Sequence, residues 1–201
     1  MGEEQGRRRS RLPTDERREQ LLALGLRVFV ERTYDEISID EIAREAGISK
    51  GLLYHYFSSK RAFYIAVLRE ALRQLIQETR PPDGAQPNLE DMRRGIDAYL
   101  GYVERHARAY AFLMKGGLGL DPEVQEIIEE AREEHLGRLL TSLGDPSEPR
   151  LRIGMRGFLG FVEAASLDWL ERGGVDRATM CDLIMEGFLG LVAPWVAPPS
   201  P

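Results

Sequence analysis

Apolar residues recur along this chain every three or four positions, in blocks divided by short stretches rich in polar residues, glycine or proline. That spacing is the mark of amphipathic helices, and almost no stretch alternates as a strand would. The first stripe, Leu21, Leu22, Leu24, Val28 and Phe29, follows Pro13 and Thr14 and ends near Arg32. Thr14 reads as its N-cap, with Asp15 and Glu16 suited to the positive end of the helix dipole.

Two short helices come next. Ser38 and Glu41 form a capping box, and Ile37 is spaced to staple onto Ile42. The pattern breaks at Ala46-Gly47, after which Ser49 caps another helix with Ile48 and Leu53 again at staple spacing. Two short helices joined by a glycine-containing turn spell a helix-turn-helix, and Ala43 is small where they should cross. Six longer stripes follow. A fourth helix, capped by Ser58, runs through "KRAFYIAVLREALRQLIQ" toward Thr79. A fifth, capped by Asn88, passes Tyr99 to about Glu104, and a sixth covers Ala107 to Met114 before "KGGLGL". Asp121-Pro122-Glu123 starts a seventh that ends near Leu143. An eighth spans Pro149 to Leu170 and a ninth Arg177 to Val192, leaving "APWVAPPSP" as a tail. The expected fold class is all-α, with about nine helices. An N-terminal three-helix helix-turn-helix unit joins a larger helical one.

Composition narrows the function. A single cysteine, Cys181, excludes an intrachain disulfide framework and a cysteine-based zinc site. The start, "MGEEQGRRRSRLP", lacks the apolar core of a secretory signal, and no apolar run nears the ~20 residues of a membrane span. These features lead us to expect a cytoplasmic protein with no membrane association. The net charge of −6 would argue against a nucleic-acid partner if it were spread evenly. It is not. No Asp or Glu lies between Ala46 and Arg69, where Lys50, Lys60, Arg61 and Arg69 fall, and the arm adds Arg7, Arg8, Arg9 and Arg11. Local fields set phosphate affinity.

In the third helix Leu53 and Phe57 take the core positions, which leaves Ser49, Lys50, Gly51, Leu52, Tyr54 and His55 facing outward. Gly51 costs ~1 kcal/mol inside a helix, so its presence points to a close approach to the backbone. Phenol, imidazole and ammonium groups on one exposed turn suit phosphate oxygens and base edges, and Lys60 sits at a helix N-terminus, which itself favours phosphate. A surface helix with a few exposed aromatics is the bland alternative.

The stretch "IDEIAREAGISKGLLYHYFSSKRAFY" resembles the tetracycline-repressor-like (TetR) regulators, whose pattern is roughly I-A-x-x-A-G-[VI]-S-x-G-x-L-Y-x-[HY]-F-x-S-K. The match covers about Thr14 to Leu68. The resemblance implies a homodimer that puts each third helix into a major groove of double-stranded operator DNA, with a small effector bound in the larger unit. It implies backbone contacts from Ser38 and Ser49, a base-facing start at Lys50, Gly51 and Leu52, a phosphate clamp of Tyr54, His55 and Lys60, and Tyr56 at its edge. Two positions depart from the pattern. Thr33 stands where the family usually has glycine before the aromatic Tyr34, which puts a β-branched residue where an αL turn is convenient. Arg61 stands where Glu is common, removing a capping-box partner and adding charge. The arm "GRRRSR" either tracks phosphates, enters the minor groove or is a solubilising tail.

The larger unit carries two strongly apolar final stripes, "LRIGMRGFLGFVEAASLDWL" and "MEGFLGLV", with Gly154, Gly157, Gly160, Gly187 and Gly190 at helical spacings. Surfaces so apolar need burial, and pairing the last two helices of two copies into a four-helix interface supplies it. Tyr99, Tyr102, Tyr110, Phe112 and Met114, with Phe158, Phe161 and Trp169, are candidates to line an apolar effector cavity. Glu163 reads either as an interface ion-pair member with Arg156 or Arg152, or as a polar anchor for a ligand. His106 and His135 are too isolated for a metal site, and no nucleophile–base pair, metal cluster or nucleotide loop marks an enzyme or a cofactor. The expectation is a sequence-specific DNA-binding repressor released by an apolar small molecule. A ligand-independent architectural DNA-binding protein and, behind it, a helical enzyme are the alternatives. The division is a basic arm (1–13), the helix-turn-helix unit (14–60), the ligand-binding and dimerisation unit (61–195) and a tail (196–201).

Overall fold

The computed structural model describes residues 14–81, 88–115, 121–144 and 147–196. The basic arm, and with it the capping of the first helix, lies outside them. Among the described residues there is no strand. The helices are α1 (Thr14–Glu31), α2 (Ile39–Glu45), α3 (Lys50–Tyr56), α4 (Lys60–Glu78), α5 (Leu89–Arg105), α6 (Ala107–Met114), α7 (Pro122–Ser142), α8 (Pro149–Arg172) and α9 (Arg177–Val196). α8 and α9 run two and four residues past their expected ends. Among the described residues no helix is long and apolar enough to cross a membrane.

Local chemistry explains the short helices. The Ser38 hydroxyl accepts from the Glu41 amide (3.2 Å), and the Glu41 carboxylate accepts from the Ser38 amide (2.8 Å). The Ser38 hydroxyl also donates to that carboxylate (2.7 Å), and this bond, then the Ser38 amide, then Arg32 hold the Glu41 carboxyl down at about 2. Ile37 and Ile42 are buried beneath the box. α2 ends in a Schellman turn: Gly47, at φ +64°, donates to Arg44 O, and Ile48 donates to Ala43 O. Ser49 then caps α3 by accepting from the Leu52 amide.

Two expectations at helix ends are corrected. The cap of α4 is Ser59, whose hydroxyl accepts from the Ala62 amide (3.0 Å), and not Ser58. Arg61 therefore occupies the second helical position and takes no capping-box place. Thr33 lies at φ −75°, ψ 169°, in ordinary extended geometry, and precedes a single 3-10 turn, Tyr34–Glu36. Its amide donates to the Glu36 carboxylate (2.7 Å). A glycine in αL is unnecessary because the chain leaves α1 by a different turn.

Two apolar clusters organise the molecule. The first joins α1 to α4, with Ile42, Leu53 and Phe63 fully enclosed, and takes in Val124 and Ile127 of α7. The second packs α5, the later part of α7, α8 and α9 around Leu100, Leu136, Met155 and Ile184. α1 and α4 approach closely at Gly25, where an added Cβ would lie 2.3 Å from Val67 Cγ2 and 2.8 Å from Phe63 Cζ. Gly25→Ala gains helix propensity of ~1 kcal/mol but forces two enclosed side chains apart, at a cost of roughly 1–3 kcal/mol. The clash dominates because Phe63 is enclosed on every side, although Val67 has the cavity beside it. Urea unfolding should show a lowered midpoint for Gly25→Ala; a raised midpoint would show that the crossing is looser than this geometry.

Candidate nucleic-acid interface and cavity

α3 is held from behind by Leu53 and Phe57, the latter edge-on to Phe63 at 5.0 Å. This leaves Ser49, Lys50, Gly51, Leu52, Tyr54 and His55 exposed on one surface, with Ser38 on the adjacent turn. Tyr56 is half-buried and packs edge-on against His55 (5.4 Å). A Cβ at Gly51 would meet nothing within 4 Å, so packing within the chain does not require glycine there. The Lys60 ammonium, in the first turn of α4, lies 4.2 Å from the centre of the Tyr34 ring, a cation–π contact that fixes its place beside α3.

The acid-free stretch does not make an acid-free surface. Lys50 pairs with Asp40 of α2 at 3.0 Å, and that hydrogen bond raises the Lys50 pKa. Arg61 donates to both Asp121 oxygens (2.6 and 2.7 Å) and reaches Glu123 (2.9 Å), which ties the start of α4 to the start of α7. Arg69 faces Glu123 and Glu130. The added charge of Arg61 is thus neutralised within the chain. Asp40→Asn should free Lys50 and remove a like charge from the phosphates, tightening binding to any duplex roughly two- to fivefold, the range expected of one exposed pair. Anisotropy titrations on unrelated duplexes test this, and unchanged or weaker binding would place the Asp40–Lys50 pair outside the field of the DNA.

A cavity of about 290 Å³ opens on the far side of α4. Its walls include Tyr64, Val67, Leu68, Ala71, Leu72, Leu75 and Thr79 of α4, so it follows that helix for four turns, about 22 Å. Leu26, Phe29 and Val30 of α1 also line it. Of the aromatic and Met residues expected there, Tyr99, Tyr102, Tyr110, Met114 and Phe158 do line it. Three do not. Phe112 packs against the first apolar cluster. Trp169 is buried in the second, with its indole N–H donating to Val175 O. Phe161 is 38 % exposed on the outer side of α8, its ring 3.0 Å from where a Cβ on Gly187 would lie.

Polar groups on the walls are mostly paired. The hydroxyls of Tyr99 and Tyr110 lie 2.8 Å apart, and burial, the main cause, pushes both phenols upward. Tyr102 donates to Ala71 O and stacks on His106. Glu163 receives both its hydrogen bonds, at 2.7 Å each, from Arg132 of α7. That corrects the expected partners: Arg156 pairs with Glu129 and Arg152 with Glu133. At the end away from α1, Arg138 and His135 join the wall, neither marked by the sequence as a site. His135 Nδ1 faces Ala131 O at 2.9 Å, and burial, the main cause, lowers its pKa. Among the described residues no group of His, Cys, Asp and Glu is placed to hold a metal.

Comparison with known proteins agrees along the chain. Residues 21–67 match the family described as bacterial regulatory proteins, tetR family, and residues 89–191 match the tetracyclin repressor-like C-terminal domain. The HTH-type transcriptional activator FasR of Mycolicibacterium smegmatis is 36% identical over 63% of this chain, and the match spans only 58% of FasR. The HTH-type transcriptional regulator HbdR of Aromatoleum is 28% identical over 90% of the chain and 82% of its own length. A tetR-family transcriptional regulator from Streptomyces coelicolor superposes with a TM-score of 0.84 at 31% identity, covering 92% of this chain and 83% of that one.

Proposed function

The chain belongs to the tetR family of bacterial regulatory proteins, and from that premise we propose that it is an operator-binding repressor released by an apolar small molecule held in the cavity along α4. The observation that carries this reading is the cavity wall itself, which includes α1 and α4, the two helices that seat α3. A ligand that fits only one arrangement of those helices shifts the balance between arrangements by its differential affinity. The functional division is the one drawn from the sequence: arm 1–13, DNA-reading unit 14–60, effector and dimerisation unit 61–195, tail 196–201.

DNA is read by α3. Lys50, Gly51 and Leu52 meet base edges, Ser38, Ser49, Tyr54, His55 and Lys60 meet the phosphate backbone, and Tyr56 flanks them. The protein works as a homodimer. Ile153 and Phe161 of α8 and Leu183, Leu189 and Leu191 of α9 are exposed, and Cβ atoms on Gly154, Gly157, Gly160 and Gly190 would meet open space. Gly187 differs, since it admits Phe161 between α8 and α9 of one chain. A second copy laid over this face buries the apolar residues and spaces two α3 helices for successive major grooves, ~34–36 Å apart.

Selection from random duplexes, followed by titration of the selected site with lipophilic compounds, tests the whole reading. A palindrome-like motif and its release by a subset of compounds are expected. No motif above non-specific binding, or affinity unmoved by every compound, would overturn it. Lys60→Ala should weaken selected and scrambled duplexes alike, since phosphate contacts position without specifying. A loss confined to the selected duplex would reassign Lys60 to base reading.

A further inference from the structure

Among the described residues four charged side chains line the cavity: Asp91, Arg132, Arg138 and Glu163. Asp91 is held by Arg94 and Asn88, and Arg132 and Glu163 neutralise each other. Arg138 is different. Its guanidinium is half-buried and donates to Ile76 O (3.0 Å) and, at 3.5 Å, to the Thr79 hydroxyl; among the described residues no carboxylate pairs with it. Burial, the largest influence, lowers its pKa, with Glu134 the acid and Arg80 the base in its field. The neighbouring His135 is pushed toward its neutral form and adds no second positive charge. A guanidinium has five N–H donors in a planar fork that matches carboxylate or phosphate oxygens, and a desolvated one without an anion is costly.

The remaining wall is long and apolar. From Thr79, beside Arg138, it follows α4 through Leu75, Leu72, Leu68 and Tyr64 to α1. A C–C bond of about 1.5 Å advances a zigzag chain by roughly 1.25 Å, so about sixteen to eighteen carbons span those 22 Å.

We propose that the effector is a linear amphiphile whose anionic head sits on Arg138 and whose alkyl tail lies along α4 with its end against α1. The proposal rests on the cavity being the effector site, and the test separates the two. The full chain is titrated calorimetrically with palmitate, hexadecyl phosphate and hexadecanol, for the unchanged protein, Arg138→Gln and Arg138→Lys. Palmitate or hexadecyl phosphate should bind at least tenfold more tightly than hexadecanol. Whichever of the two is tighter identifies the head as carboxylate or phosphate. Arg138→Gln should abolish the preference, and Arg138→Lys should keep most of it. Equal binding of hexadecanol, or a preference that survives in Arg138→Gln, overturns the head assignment while leaving the cavity as a lipid site. If none of the three probes binds, the effector reading fails as well. Should Arg138→Gln not fold, the comparison of probes on the unchanged protein and on Arg138→Lys still decides.

Discussion

Leu183→Glu is expected to give a folded monomer that binds its operator at least a hundredfold more weakly. Leu183 is 46% exposed in the single chain, so a carboxylate there costs the protomer fold little. In a two-fold dimer each substitution appears twice on one shared patch. Burying two unpaired carboxylates costs several kcal/mol, enough to raise the dimer dissociation constant by orders of magnitude. Two linked α3 helices bind as one unit, and separating them forfeits an avidity of about 10²–10⁴. Sedimentation should show the monomer, circular dichroism an unchanged helix content, and mobility-shift titration the lost affinity. A Leu183→Glu protein that remains dimeric would move the interface off the outer face of α8 and α9.

Ala71→Phe should silence the effector response. Ala71 lies midway along the cavity wall on α4, and its carbonyl is held by Tyr102. A ring there occupies the space a ligand needs, so affinity for any effector should fall at least tenfold. Because the ring also presses on the helix that seats α3, operator affinity without effector should fall too, as if the site were partly filled. Lost effector binding with unchanged operator affinity would show a site that is not coupled to DNA. Unchanged effector binding would place the site elsewhere.

The parts legible in the sequence are those fixed by neighbours in the chain. The Ser38–Glu41 box, the glycine turn and the outward set on α3 follow from spacings of three and four residues, and the structure shows each of them. The cap of α4 is read one residue early, at Ser58, because Ser58 and Ser59 both precede the same apolar stripe. Thr33 was misjudged because Glu36 builds a turn that the family pattern does not contain. The cavity was only half visible. Aromatic content marks a residue as buried somewhere, but of Phe158 and Phe161, one turn apart with rings 6.4 Å from each other, only Phe158 is buried and reaches the cavity. Arg138 and Val30 carry no local signal at all; they meet the cavity only because α1, α4 and α7 pack together.

Leu26, Phe29 and Val30 make the first helix a wall of the cavity, and Arg108 of α6 reaches Glu36, the last residue of the 3-10 turn. Sensor and reader are therefore not interchangeable cartridges. A chimera that grafts residues 14–60 of this chain onto the larger unit of a relative would import one edge of a binding site, Leu26 to Val30, and half of the Glu36–Arg108 clasp. Retargeting such a regulator to a new operator is better done by substitutions on the outward face of α3, which leave the shared wall untouched.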